Sequence, residues 1–213
     1  MNESGETTAP LTVEISPPKR FGPAALLICC GYGILVSLPA LSSILVVSSL
    51  PLSWLTAIIP FLALAAAVFL LPFAFGNSFI FRIARSFQPD KEGGEMFLVQ
   101  FASVPRLRKG LRAWVEDADD VGWLTLDASR LKFRGDSVNL VIPVSAVAHV
   151  RRENNGVRGL FLYSRTVLHL KGGREFCTLR FAERSSYLLP TSRRTGLRLF
   201  NAVRAFAAKP APA

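Results

Sequence analysis

The chain has 213 residues, half of them hydrophobic, and a net charge of +10 from 25 Lys and Arg against 15 Asp and Glu. Three cysteines are too few for a disulfide framework. No phosphate-binding loop, dinucleotide fingerprint or nucleophile-elbow pattern occurs, which removes the common nucleotide- and ester-handling enzyme classes. From Val121 onward there are 16 basic residues against 5 acidic ones. A balance of that kind points to anionic lipid or nucleic acid as a partner, or to simple topological bias and solubility.

Residues 1–20 are rich in Thr, Ser, Glu and Pro without a sustained period, and are expected to form a disordered cytoplasmic tail. Phe21 to Phe81 then contains no Asp, Glu, Lys, Arg or His. A membrane span needs roughly 20 apolar residues, so this stretch has room for two. The expectation is a two-helix transmembrane hairpin over 21–81, with helices near Ala24–Val47 and Leu52–Phe75 and a break at Ser48–Pro51. Cys29 and Cys30 fall in the first helix and read as packing residues. Pro39 and Pro60 would kink the helices, and Gly31, Gly33 and Ser37 offer a small-residue face. Lys19 and Arg20 precede the stretch, Arg82 and Arg85 follow it, and the connection is uncharged, which places both termini in the cytoplasm. These four cations and Trp54 are the expected membrane-interface residues of a protein integral to the cytoplasmic membrane. Neither span carries an ionisable group, which argues for an anchor rather than a pump.

Phe79, Ile80, Ile83 and Phe87 interleave with Arg82 and Arg85, as in a short amphipathic segment at the headgroup level. Residues 82–94 are read as a juxtamembrane linker, and 95–207 as one mainly-β domain. Strands are expected at Met96–Val104, Trp123–Leu126, Leu131–Phe133 and Leu140–Val144, the last continued by Val147–Arg151. Gly159–Tyr163 and Val167–Leu170 read as a further pair, followed by Phe176–Phe181. Leu107–Val115 fits strand or helix. Leu197, Phe200, Val203 and Phe206 recur every three residues among arginines, which predicts an amphipathic helix over Ser192–Ala207 with Thr191 or Ser192 as N-cap. Residues 208–213 are a tail.

The run GWLTLDASRLKF from Gly122 to Phe133 is similar to the "G-x-L-x-L-T-x-x-R-L-x-F" hairpin of GRAM and bacterial PH-like domains. Val141–Val147 is similar to that family's next strand, "I-P-L-x-x-I". The resemblance covers roughly Glu95 to Phe206. It implies a PH-like domain, a curved antiparallel sheet or partly open barrel with the C-terminal amphipathic helix as its plug, here behind a transmembrane hairpin. It also implies that basic residues of an early hairpin read lipid headgroups.

Arg130, Lys132 and Arg134 alternate along one strand and so share a face, where three cations could hold a phosphorylated headgroup. Arg106, Arg108, Lys109 and Arg112 form a second, looser basic stretch. Against both stands the alternative of a solvated surface. Asp117, Asp119 and Asp120 have oxygen ligands for a divalent cation but not the spacing of a calcium loop, so a solvated turn is the reading taken. His149 and His169 stand alone, and no metal or other cofactor is expected. Nucleic acid is an unlikely partner because no aromatic platform accompanies the basic residues. The function expected from all this is a non-enzymatic, membrane-anchored adaptor. Its PH-like domain would bind anionic lipid headgroups or a protein partner at the bilayer. The alternative is an assembly subunit of a larger membrane complex, or homo-oligomer, with the β domain as docking scaffold.

Overall fold

Side chains alternate across a strand, so a run such as Arg130-Leu-Lys-Phe-Arg134 can bury one face only. In the computed structural model, which describes residues 11–17, 19–20, 77–89, 94–107, 118–155, 163–171 and 177–209, Leu131 and Phe133 are buried while Arg130 and Arg134 are exposed. The elements are β1 (Thr12–Ile15), a helix α1 described over 77–84 that tightens into a 3-10 turn at Arg85–Phe87, β2 (Glu95–Val104), β3 (Asp120–Leu126), β4 (Arg130–Gly135), β5 (Val138–Pro143), β6 (Val147–Asn155), β7 (Tyr163–Leu170), β8 (Thr178–Glu183) and α2 (Leu189–Ala207). All eight strands form one sheet in the order β1-β5-β4-β3-β2-β8-β7-β6, antiparallel at every junction.

One core joins both halves of that sheet. Phe97, Val99 and Phe101 of β2, Leu140 and Ile142 of β5, Leu168 of β7 and Phe181 of β8 belong to a single buried cluster. Residues from opposite ends of an eight-stranded sheet meet only if the sheet curves. Phe101, Phe133 and Phe181 stand at its centre, with ring centroids 5.1, 5.6 and 6.1 Å apart. Leu199, Val203 and Phe206 of α2 close the core, so the three-residue period marks the helix but only half of its buried stripe: Leu199 is buried there, whereas Leu197 is exposed and Phe200 half-buried. Burial of each such side chain contributes about 1.5–3 kcal/mol.

α2 starts one turn before the expected Ser192, because Pro190 suits the first turn of a helix. Neither Thr191 nor Ser192 is the N-cap. Leu188 holds that position without a side-chain bond. The buried Glu183 at the end of β8 organises the helix entry instead. Its Oε1 accepts from the backbone N–H groups of Ser185 and Ser186 at 2.6 and 2.7 Å and from both serine hydroxyls. Its Oε2 accepts from the Ser192 hydroxyl at 2.6 Å.

The turn between β4 and β5 is held the same way. Asp120 Oδ2 accepts from Ser137 N and Val138 N, both at 2.7 Å, and Asp120 Oδ1 accepts from Val121 N. This leaves no room for a side chain at Gly122 or Gly135. A Cβ at Gly122 would lie 2.2 Å from the Arg134 carbonyl oxygen, and one at Gly135 would lie 2.2 Å from Asp120 Oδ2.

Several expectations are corrected here. No helix among the described residues is long and apolar enough to cross a membrane. The two-helix transmembrane hairpin is therefore not found, and the location in the cytoplasmic membrane with both termini cytoplasmic loses its basis. Residues 21–76, where both expected spans and Trp54 fall, lie outside the described residues. The part of the stretch that is described packs on protein: Ala84, Ile80, Phe81 and Phe87 cover Leu98 and Trp123 on the outer face of the sheet. Trp123 Nε1 donates to the Ala84 carbonyl at 2.8 Å, and its ring meets Phe81 edge-on. The expected juxtamembrane linker thus opens as helix.

Residues 1–20 are not wholly a tail either, since β1 pairs with β5 from Thr12↔Val141 to Ile15↔Val138. Pro143 ends β5, as its missing N–H allows. Val147–Arg151 does not continue β5. A 3-10 turn at Val144–Ala146 redirects the chain, and β6 lies at the far end of the sheet. The expected strand Val167–Leu170 is part of a longer one that begins at Tyr163, and residues 159–162 of the expected Gly159–Tyr163 lie outside the described residues.

Gly122→Ala should lower the urea midpoint by an amount equivalent to about 2 kcal/mol or more, since the β4 backbone has to move aside. Glu183→Ala should cost about 3 kcal/mol or more, because several buried donors lose one acceptor. Urea unfolding followed by circular dichroism measures both.

Candidate functional site

Arg130, Lys132 and Arg134 do share the outer face of β4, as the alternation requires. Lys132 is held by Asp127 at 2.8 Å, while Arg130 and Arg134 are exposed. Their cross-strand neighbours are Thr125 and Trp123 on β3 and Pro143, Val141 and Asn139 on β5, with Glu14 of β1 opposite Asn139. Arg108, Lys109, Arg112 and Asp117 lie outside the described residues. Arg106 is described, and its charge acts on Arg165. The second basic stretch therefore belongs, in part, to another face.

That face is the outer side of β6, β7 and β8. Register places Glu153, Arg165 and Ala182 in one row, Arg151, Val167 and Arg180 in the next, and His149, His169 and Thr178 in the third. Glu153 accepts from Arg151 and lies 3.7 Å from Arg180 Nε. Arg184 donates through Nε to Gln100 Oε1 at 2.7 Å. Arg165 is buried, and burial, with the charges of Arg180, Arg184 and Arg106, brings its pKa down to about 10. These cations are scattered over the sequence and meet only through strand order, so no local motif announces them.

The two histidines are not isolated. Their rings stack 4.0 Å apart with 14° between planes, as cross-strand partners. His169 Nδ1 lies 3.2 Å from Thr178 Oγ1, and its Nε2 is buried without a hydrogen-bond partner. Desolvation, then the charges of His149, Arg151 and Arg180, lower the His169 pKa, with Glu153 opposing. Among the described residues no group of three or more His, Cys, Asp or Glu could hold a metal ion.

A third basic surface is the outer side of α2, where Arg193, Arg194, Arg198 and Arg204 are exposed together with Leu197. Arg198 bonds Glu95 through Nε and lies over the Phe97 ring. At the helix entry Tyr187 and Leu188 are also exposed, 48% and 61%. Of the expected interface cations, Lys19, Arg20, Arg82 and Arg85 are exposed, with Arg20 over the Phe87 ring and its N–H donating to Asp136 at 2.8 Å.

The acidic residues do not form the expected solvated turn. Asp119 is 1% exposed, and its Oδ2 accepts from Ser103 N and Oγ at 2.7 and 2.8 Å. With Asp120, Asp136 and Glu183 it makes a set of buried carboxylates, and among the described acids only Glu14 is exposed. Among the described basic residues only Arg165 is buried. Compared with known proteins, the chain matches no family model and no curated sequence.

His169 resists protonation in the fold, whereas the unfolded chain takes a proton near the ordinary imidazole value of about 6.5. Stability from this group is complete above that value and is lost as pH falls through it toward the lowered folded value. Between about pH 7.5 and 5.5, wild-type protein should therefore lose more urea resistance than a His169→Gln variant, which keeps every carboxylate contribution. Equal losses would mean that the imidazole does not titrate differently on unfolding.

Proposed function

We propose that this chain is a non-enzymatic binding module, an adaptor of PH-like build, whose basic exterior takes the anionic headgroups of a lipid surface. The observation that carries this reading is the partition of charge. Among the described residues four carboxylates, Asp119, Asp120, Asp136 and Glu183, are buried on hydrogen-bond donors, while every basic residue but Arg165 reaches the surface. The exposed and half-buried positions among the described residues therefore carry 18 basic side chains against 4 acidic ones. Anionic headgroups attract such a surface at about 1 kcal/mol per well-placed Lys or Arg. The strand order, the curvature around one aromatic core and the closing helix α2 support the PH-like reading, as does the hairpin from Gly122 to Phe133.

Co-sedimentation of the purified chain with vesicles tests it. Binding should be stronger to phosphatidylcholine vesicles containing phosphatidylglycerol than to phosphatidylcholine alone. That difference should vanish between about 0.05 and 0.5 M salt, as screening shortens the reach of charge to a few Å. Binding that ignores both lipid charge and salt would overturn the proposal.

A further inference from the structure

From the placement of exposed apolar and basic side chains we infer that the entry and outer side of α2, from Tyr187 to Arg204, is the surface that docks on an anionic bilayer. The inference rests on the anionic-surface reading and says which face meets the lipid. Three of the large hydrophobic side chains exposed in the described structure, Tyr187, Leu188 and Leu197, lie on this one element and its entry. Arg193, Arg194, Arg198 and Arg204 are exposed on the same helix. No Asp or Glu occurs anywhere from Arg184 to the last residue, and Glu95 of β2 reaches this face through Arg198. Each of the other two basic faces also has an acid on its cations, Asp127 on β4 and Glu153 on β6–β8. They differ in apolar exposure: among the described residues a single exposed large apolar side chain, Val104 opposite Thr178, borders the β6–β8 face, against three on α2 and its entry.

An interface of exposed leucine and tyrosine rimmed by arginine matches the boundary between headgroups and acyl chains, where apolar tips enter and guanidinium groups stay with phosphate. Asn77 Nδ2 donates to the Ser186 carbonyl at 2.6 Å, so residue 77 is fixed beside Tyr187 and Leu188. Tyr187 and Leu188 are held there by the serines bonded to Glu183, which presents them as a fixed pair.

Hydrogen exchange of the full chain, with and without vesicles, reads the docking face directly. Phosphatidylglycerol-containing vesicles should protect residues 187–204, while phosphatidylcholine vesicles and soluble glycerol phosphate should not. Leu188→Ser with Leu197→Ser should weaken vesicle binding about tenfold, and Arg193→Ser with Arg194→Ser by a similar factor. Both pairs are outside the core, and serine at the N-cap position of Leu188 and loss of cations near the helix start are neutral to favourable for the fold, so the urea midpoint should not fall, which separates a docking defect from a folding one. Salt-sensitive binding retained by both variants, with protection on β4 or β6–β8, would overturn this inference and leave the general reading intact. Equal protection by glycerol phosphate would mean a soluble phosphate ligand, and equal protection by polyglutamate an acidic protein partner. Either result overturns docking on lipid. Absence of any salt-sensitive anion binding would overturn both proposals together.

Discussion

Asp120 bonds the backbone of Ser137 and Val138, Asp119 bonds Ser103, and Glu183 gathers Ser185, Ser186 and Ser192. Each buried carboxylate replaces lost hydration with two or more donors, which is the condition for leaving an acid inside a fold. The rest of the structure depends on these anchors. The first sets the turn between β4 and β5, beside Gly135 at the end of β4 and its cross-strand partner Gly122 on β3, both of which must stay bare. The last sets where α2 begins, and so which residues close the core and which face outward.

The outer face of the sheet is not uniform. Where β3 carries Trp123 and β2 carries Leu98, the face is apolar and α1 covers it. Beyond β2 it turns basic, and Arg184 makes the transition: it bonds Gln100 on one side, and its charge lowers the pKa of Arg165 on the other. Arg184 also reaches Asn77 Oδ1 at 3.5 Å, so the start of the described α1 and the edge of the basic face share one residue. A change in how α1 sits would therefore be felt at the β6–β8 face.

Much of the sheet was legible because its cause is local. Leu131 and Phe133 between Arg130, Lys132 and Arg134 can satisfy burial in only one way, and the three-residue spacing of Leu197, Phe200, Val203 and Phe206 marks a helix. What escaped was non-local. Thr12-Val-Glu-Ile15 is too short to show alternation above noise, and only the open edge of β5 makes it a strand. Nothing around Val147 reveals that the turn before it carries the chain to the opposite end of the sheet. Asp119 and Asp120 read as solvated acids, and Glu183 drew no reading, because their partners include backbone N–H groups, which every residue but proline supplies. The helices assigned to Phe21–Phe81 were read from absence of charge alone. At residues 80, 81 and 84, where that stretch and its border enter the described structure, the apolar side chains face Trp123.

α2 shows how the same physics bears on stability and on partner choice. Its first turn has no acidic side chain, and Arg193 and Arg194 follow one turn in. Cations near a helix N-terminus oppose the helix dipole at about 0.3–1 kcal/mol each, an effect that fades beyond the first turn. Arg204, in the last turn, is on the favourable end. Glu183 offsets the entry, since its carboxylate bonds the segment leading into the helix and Ser192 within it. The exposed Leu188 and Leu197 contribute little to the core and leave apolar area in water. Leu188 and Leu197 thus occupy positions where the fold alone would favour polar residues. On the docking proposed above, a negatively charged and partly apolar surface makes these leucines and the arginines of the same helix favourable at once.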